Sequence, residues 1–197
     1  MADEVLHLFL LLEVPAKKSG NIVEYLFPQP ERPRSPVVRE AAAVYSATDV
    51  ITRLDGPPSE VSNVLIDIVR QPQVLSTAAY LISEFCRAEQ ATERGASDEK
   101  EVVAFSFVEA RPSASRPLRA IAWETTRIRG VSYVAVVENR GLLIARIVAR
   151  DKAAFDTFVM DTKPGFGIQA DPAVSSTRTF ITNSRFHREA SQQRLSS

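Results

Sequence analysis

Hydrophobic and polar positions alternate most densely between residues 101 and 150. Four apolar runs stand out there, 102–111, 118–127, 131–138 and 142–150, rich in Val, Ile, Phe, Tyr and Trp. The breaks between them, 112–117, 128–130 and 139–141, each hold Gly or Pro. Short runs of this kind between tight loops predict four strands of an antiparallel meander. Run 131–138 is apolar on both faces, with Val131, Tyr133, Ala135 and Val137 on one and Val134 and Val136 on the other. A strand apolar on both sides is buried on both. The fold class expected is therefore α+β, an antiparallel meander sheet flanked by helices on both faces.

The flanking chain supplies further elements. Residues 5–14 are nearly all apolar and end at Pro15, which predicts a buried strand, and 21–27 predicts a second. Residues 28–36 contain four prolines and three charges, the composition of an extended surface loop. For 37–48 the pattern leaves helix and strand both open. Asp55-Gly56-Pro57-Pro58-Ser59-Glu60 reads as a helix start, with proline in the first turn and Glu60 at the positive end of the dipole. Val61, Val64, Leu65, Ile68 and Val69 then form one apolar stripe, which Pro72 stops. A second stripe over 74–93 (Leu75, Ala78, Ala79, Ile82, Phe85, Cys86) predicts another helix, and 91–100 a loop. Asp151 caps a third helix to about Asp161, with Phe155 inward. These readings make one domain over 1–172 and a polar, partly disordered tail over 173–197.

Charge changes the picture locally. The chain is neutral overall, yet residues 1–109 hold 10 Lys/Arg against 17 Asp/Glu, and residues 110–150 hold 8 Arg against 2 Glu. Arg119, Arg127, Arg129, Arg140, Arg146 and Arg150 are accordingly the candidate partner-docking residues. Two readings stay open for them: a solvated sheet margin, or a basic patch that meets an acidic region of a protein complex. Nucleic acid is not expected, because the whole chain is neutral and the patch lacks interleaved aromatics.

Candidate chemistry is sparse. Cys86 is the only cysteine, so no disulfide forms within the chain, and on its stripe it reads as a small core hydrophobe. His7, inside an apolar run, reads as a satisfied core histidine, and His187 lies at the other end of the sequence. No Gly-rich phosphate loop, metal-ligand spacing or nucleophile elbow is present. No apolar run approaches the ~20 residues of a membrane-spanning helix, and the acidic opening is unlike a targeting segment. The expectation is a non-enzyme with no cofactor or metal.

One resemblance carries a function. The segment Gly56-Pro57-Pro58-Ser59-Glu60-Val61-Ser62-Asn63-Val64-Leu65 resembles the helix-opening segment of PsbP-like proteins. Their last hairpin resembles residues 134–144, and the charged start of their final helix resembles Arg150-Asp151-Lys152. The likeness covers about residues 40–161. About thirty residues separate helix and sheet here where the family has a few, and Lys152-Ala153-Ala154-Phe155 departs from its final helix. The resemblance implies an α/β/α sandwich and a non-catalytic accessory or assembly subunit docking on a photosystem complex, with photosystem subunits as partners in the thylakoid lumen. The alternative is a soluble cytosolic adaptor or assembly chaperone that binds another protein.

Overall fold

The computed structural model describes residues 5–15, 17–45, 49–88, 102–113, 115–128, 130–149, 155 and 171–190. In chain order these form β1 (Leu6–Glu13), α1 (Ser19–Leu26), β2 (Val38–Val44), β3 (Asp49–Gly56), α2 (Pro58–Val69), β4 (Ser76–Ile82), β5 (Glu84–Arg87), β6 (Val102–Ala110), α3 (Leu118–Thr126), β7 (Val131–Val137), β8 (Leu142–Ala149) and β9 (Val174–Glu189). The protein is thus α+β, built on antiparallel sheet. Its described residues fall into two compact units, one within Met1–Leu81 and Arg185–Ser197, the other within Ile82–Ser184.

In the first unit the strands lie in the order β4-β1-β3-β2, with the end of β9 beside β2. Both β1 and β2 pair antiparallel with β3. They therefore run parallel with β3 between them, a relation that no hairpin can make and a helical crossover can. Helix α1 supplies it. Leu8, Leu10 and Leu12 of β1, with Val50 and Leu54 of β3, bury one face of the sheet against Ile22 and Leu26 of α1 and Val61 and Ile68 of α2. Gly20 lets α1 come close to β9, since a Cβ there would meet the Phe186 ring at 2.8 Å. Helix α2 begins as the sequence indicates, with Pro57 at its N-cap and Glu60 in its first turn. Of its stripe, Val61 and Ile68 are buried, while Val69 is 49% exposed.

The second unit repeats the layout. Its order is β9-β6-β8-β7-β5, and β6 and β7 both pair antiparallel with β8. The crossover between them is α3, so residues 118–127, expected as a strand, are a helix. Leu118, Ile121, Ala122, Thr125 and Thr126 are its buried residues, at the i, i+3, i+4, i+7, i+8 spacing of one helical face, while Trp123 is 42% exposed. The four-strand meander is corrected accordingly to strand, helix and hairpin. Gly141, in the left-handed region at φ 60, closes the turn of that β7–β8 hairpin.

Three further expectations are corrected. Residues 21–27 lie largely in α1, because Ile22, Val23 and Leu26 bury together on one helical side. The helix expected over 74–93 is replaced by β4 and β5, since pairing with β1 and β7 overrides local propensity. Residues 174–189, expected as tail, are strand β9. Its run of Val, Thr, Phe and Ile suits a pleated surface, and Thr182 Oγ1 donates to the Val103 carbonyl at 2.8 Å. Residues 37–48, left open, resolve as β2 over Val38–Val44. The helix expected at 151–161 and the loop at 91–100 lie outside the described residues, apart from Phe155, which is helical and buried.

The sandwich is corrected as well. Within each unit the described helices share one face of the sheet. The helix-free face is buried too: Phe9 and Ile51 in the first unit, and Phe105 and Ile144 in the second, have almost no exposed surface. In the second unit Arg116 fixes the segment before α3 to the start of β9. Its Nη1 donates to Asp171 Oδ1 at 2.6 Å, and the same guanidinium pairs with Glu124 of α3. Asp171 also accepts from the Ala173 amide at 2.8 Å.

Candidate functional site

Side chains alternate across a strand, so with Leu8, Leu10 and Leu12 turned to the helices, His7 and Phe9 turn to the helix-free face of the first unit. Register completes the row. Asp55 of β3 lies opposite His7, Arg53 opposite Phe9, and Glu40 of β2 opposite Arg53. Residues directly opposite in a sheet share a face. His7 Nδ1 lies 3.0 Å from Asp55 Oδ1. Arg53 donates from Nε and Nη2 to Asp55 Oδ2 at 2.9 and 2.7 Å. A β-bulge between Val38 and Glu40 re-aims Arg39, whose Nε is 3.9 Å from the same oxygen.

The protonation pattern follows from donor and acceptor chemistry. An ionised carboxylate only accepts, so Nδ1 must carry the proton it shares with Asp55, and the basic lone pair of the imidazole is then on Nε2. The Asp55 side chain is 10% exposed and that of His7 33%, a sheltered carboxylate behind a partly exposed imidazole. Along the same face, buried Glu40 lies 2.7 Å through Oε1 from Nε2 of His187 on β9. The fold thereby brings the two histidines, 180 positions apart in the chain, onto one face of one sheet.

The second unit supplies an internal control. Its Phe105 lies opposite Arg146, and Arg146 opposite Tyr133, which matches Phe9, Arg53 and Glu40 place for place. The bulge is repeated between Val131 and Tyr133. Where the first unit has His7 opposite Asp55, the second has Val103 opposite Val148. Valines suffice to build the sheet at that place.

Of the six arginines singled out by charge, four lie among the described residues. Arg119 lies on α3, 64% exposed and 2.9 Å from Glu84 of β5. Arg127 caps the C-terminal end of α3, and Arg140 is exposed in the β7–β8 turn. Arg146, on β8, is only 9% exposed, faces away from the side that carries α3, and reaches Ser132 Oγ from Nη1 at 3.3 Å. Arg129 and Arg150 lie outside the described residues. Cys86 is fully buried, and burial, reinforced by Glu84 and opposed by Arg119, pushes its thiol up to about 11. Among the described residues no three His, Cys, Asp or Glu side chains gather as a metal-ligand set, and no helix is long and apolar enough to cross a membrane.

No family model matches the chain, and no curated protein matches it. Solved structures do. A presumed monooxygenase of Fusobacterium nucleatum superposes with a TM-score of 0.59 at 10% identity, covering 96% of each chain. An anthrone oxidase-like protein gives 0.55 at 10% identity over 100% of this chain and 98% of the other. The siroheme decarboxylase NirDL gives 0.60 at 12% identity over 91% of this chain and 71% of its own. At these identities the likeness is one of fold. It overturns the PsbP-like resemblance, and with it the photosystem function and its lumenal setting. The non-catalytic reading falls on the same finding, because the neighbours carry enzyme names.

His7 and Asp55 escaped the sequence reading because each was explained locally, one as core and the other as the approach to a helix. A signal was present in the alternation of Arg53 and Asp55 with Thr52 and Leu54. Charges at i and i+2 inside an apolar strand point to one face together.

Proposed function

We propose that the chain is an enzyme in which His7, as the base, removes a proton from an organic substrate and dioxygen, as the oxidant, takes up the electrons of the anion so formed. The observation that carries this is the His7–Asp55 pair, standing where the repeated unit has Val103 and Val148. A pair the sheet does not need, with a sheltered carboxylate behind a partly exposed imidazole, is the arrangement of a general base. Nε2 of His7 takes the proton, and the imidazolium that forms is stabilised by Asp55. Arg53 is a positioning residue: its two hydrogen bonds hold the Asp55 carboxylate turned toward His7. Oxidation of an acidic C–H or O–H bond by dioxygen begins with loss of its proton, so the oxidase name among the fold neighbours is in keeping with such a group.

Anthrone, whose central C–H is acidified by its conjugated ketone, is the first probe, and oxygen uptake the measurement. Wild-type protein is expected to accelerate aerobic loss of anthrone, and His7→Gln to slow it by about 10²-fold or more, within the range of general-base contributions. Asp55→Asn should also slow turnover, with secondary structure unchanged by circular dichroism. Absence of wild-type turnover with anthrone and with acidic phenols would remove the oxidising reading. Equal rates in His7→Gln would remove the base.

A further inference from the structure

Each unit has a bulge that sets one extra residue beside the arginine of its central strand. In the first unit that residue is Arg39, between Val38 and Glu40; in the second it is Ser132, between Val131 and Tyr133. Ser132 is bound within its own sheet. Its hydroxyl donates to the Arg146 carbonyl at 3.2 Å and accepts from Arg146 Nη1 at 3.3 Å. A serine therefore suffices to build the bulge. Arg39 is held differently. Its carbonyl accepts from the Ala190 amide at 2.9 Å, which fixes its backbone, while its side chain is 47% exposed. Its Nε lies 3.9 Å from Asp55 Oδ2, beyond the reach of a hydrogen bond. Asp55 already has His7 on one oxygen and two N–H groups of Arg53 on the other. Arg39 thus adds its charge beside Asp55 without donating to it.

The strand order gives that charge a use. β3 lies between β1 and β2, so Asp55 stands between His7 and Arg39. A molecule lying over Asp55 has the imidazole on one side and the guanidinium on the other. When a base takes a proton from carbon conjugated with a carbonyl, or from a phenol, the negative charge comes to rest on oxygen. A guanidinium meets such an oxyanion with charge and hydrogen bonds together. Arg53 is less suited, being 18% exposed and bonded through two of its N–H groups to Asp55. We propose that Arg39 is the oxyanion-binding residue of this site, and that its substrate class is a conjugated ketone or a phenol. Its part in catalysis rests on His7 as the base; its binding of an aryl oxyanion is read separately.

The probe is 4-nitrophenol in mildly alkaline buffer, where it is the phenolate, and equilibrium dialysis measures its binding. Arg39→Ser should weaken phenolate binding by about tenfold, the loss of one charge-assisted contact, and Arg39→Lys should weaken it less. 4-Nitroanisole, the same ring with its oxygen capped, should bind wild type and variants alike. Since Ser132 fills the matching place in the second unit, Arg39→Ser should fold, and circular dichroism checks this. A wild-type protein that does not bind the phenolate overturns the proposal. So does equal phenolate binding by Arg39→Ser, or an equal loss for the anisole. In turnover of anthrone, whose oxygen gains charge only as the proton leaves, Arg39→Ser should lower kcat about tenfold or more and leave KM nearly unchanged. An undiminished kcat in Arg39→Ser beside a slowed His7→Gln removes Arg39 from the chemistry and leaves the base. Phenolate binding that depends on Arg39 in a protein inert toward anthrone supports the oxyanion site and counts against the base alone.

Discussion

Asp171 illustrates what one side chain does for this fold. Its carboxyl is held below the usual carboxylate range, first by the hydrogen bonds from Arg116, then by the Ala173 amide, against a burial effect of opposite sign. Because the folded state favours the ionised form, its contribution is fully present above the unfolded aspartate value of about 3.9 and is lost as pH falls through the folded one. Asp171→Asn should therefore cost about 1–2 kcal/mol at neutral pH, and that deficit should shrink below about pH 4. Urea denaturation from neutral to acid pH measures it, and a deficit that stays constant with pH would contradict the ion pair. Residues were the least legible level of the sequence. His7 was visible, but its partner is 48 positions away and only strand register joins them.

At the scale of elements, legibility followed the locality of the cause. Strands β1, β6, β7 and β8 were readable because each buries an apolar run whatever its neighbours do. Helix α2 was readable from its prolines and stripe. The misread elements took their state from topology. α3 carries the aromatic and β-branched residues of a strand, Ile121, Trp123, Thr125 and Thr126, yet β6 and β7 run parallel around β8 and need a crossover. Its helical face predicts an asymmetry. Ile121→Ala, at a fully buried site, should destabilise the protein by about 2–5 kcal/mol, whereas the exposed Trp123→Ala should cost far less. Comparable losses in thermal denaturation would place the strand reading back in contention.

For the whole molecule the sequence offered no hint that one layout occurs twice. Composition and periodicity differ between the halves, and the repeat appears only in the register, where Phe9–Arg53 and Phe105–Arg146 occupy matching rungs. β9 contributes to both units, beside β6 through residues 174–181 and beside β2 at its end. A chain ending at residue 173 loses a strand from each. It is expected to bind the dye ANS and to unfold without a cooperative transition, as when fixed packing is lost but collapse remains. Cooperative unfolding of the shortened chain would mean that β9 is dispensable. That one half carries His7 and Asp55 and the other Val103 and Val148 bears finally on stoichiometry. Two identical subunits must carry each residue twice, whereas two halves of one polypeptide are free to diverge, and here the imidazole was kept, or arose, in one of them. A mechanism-based inactivator should therefore saturate at one equivalent per polypeptide, not two.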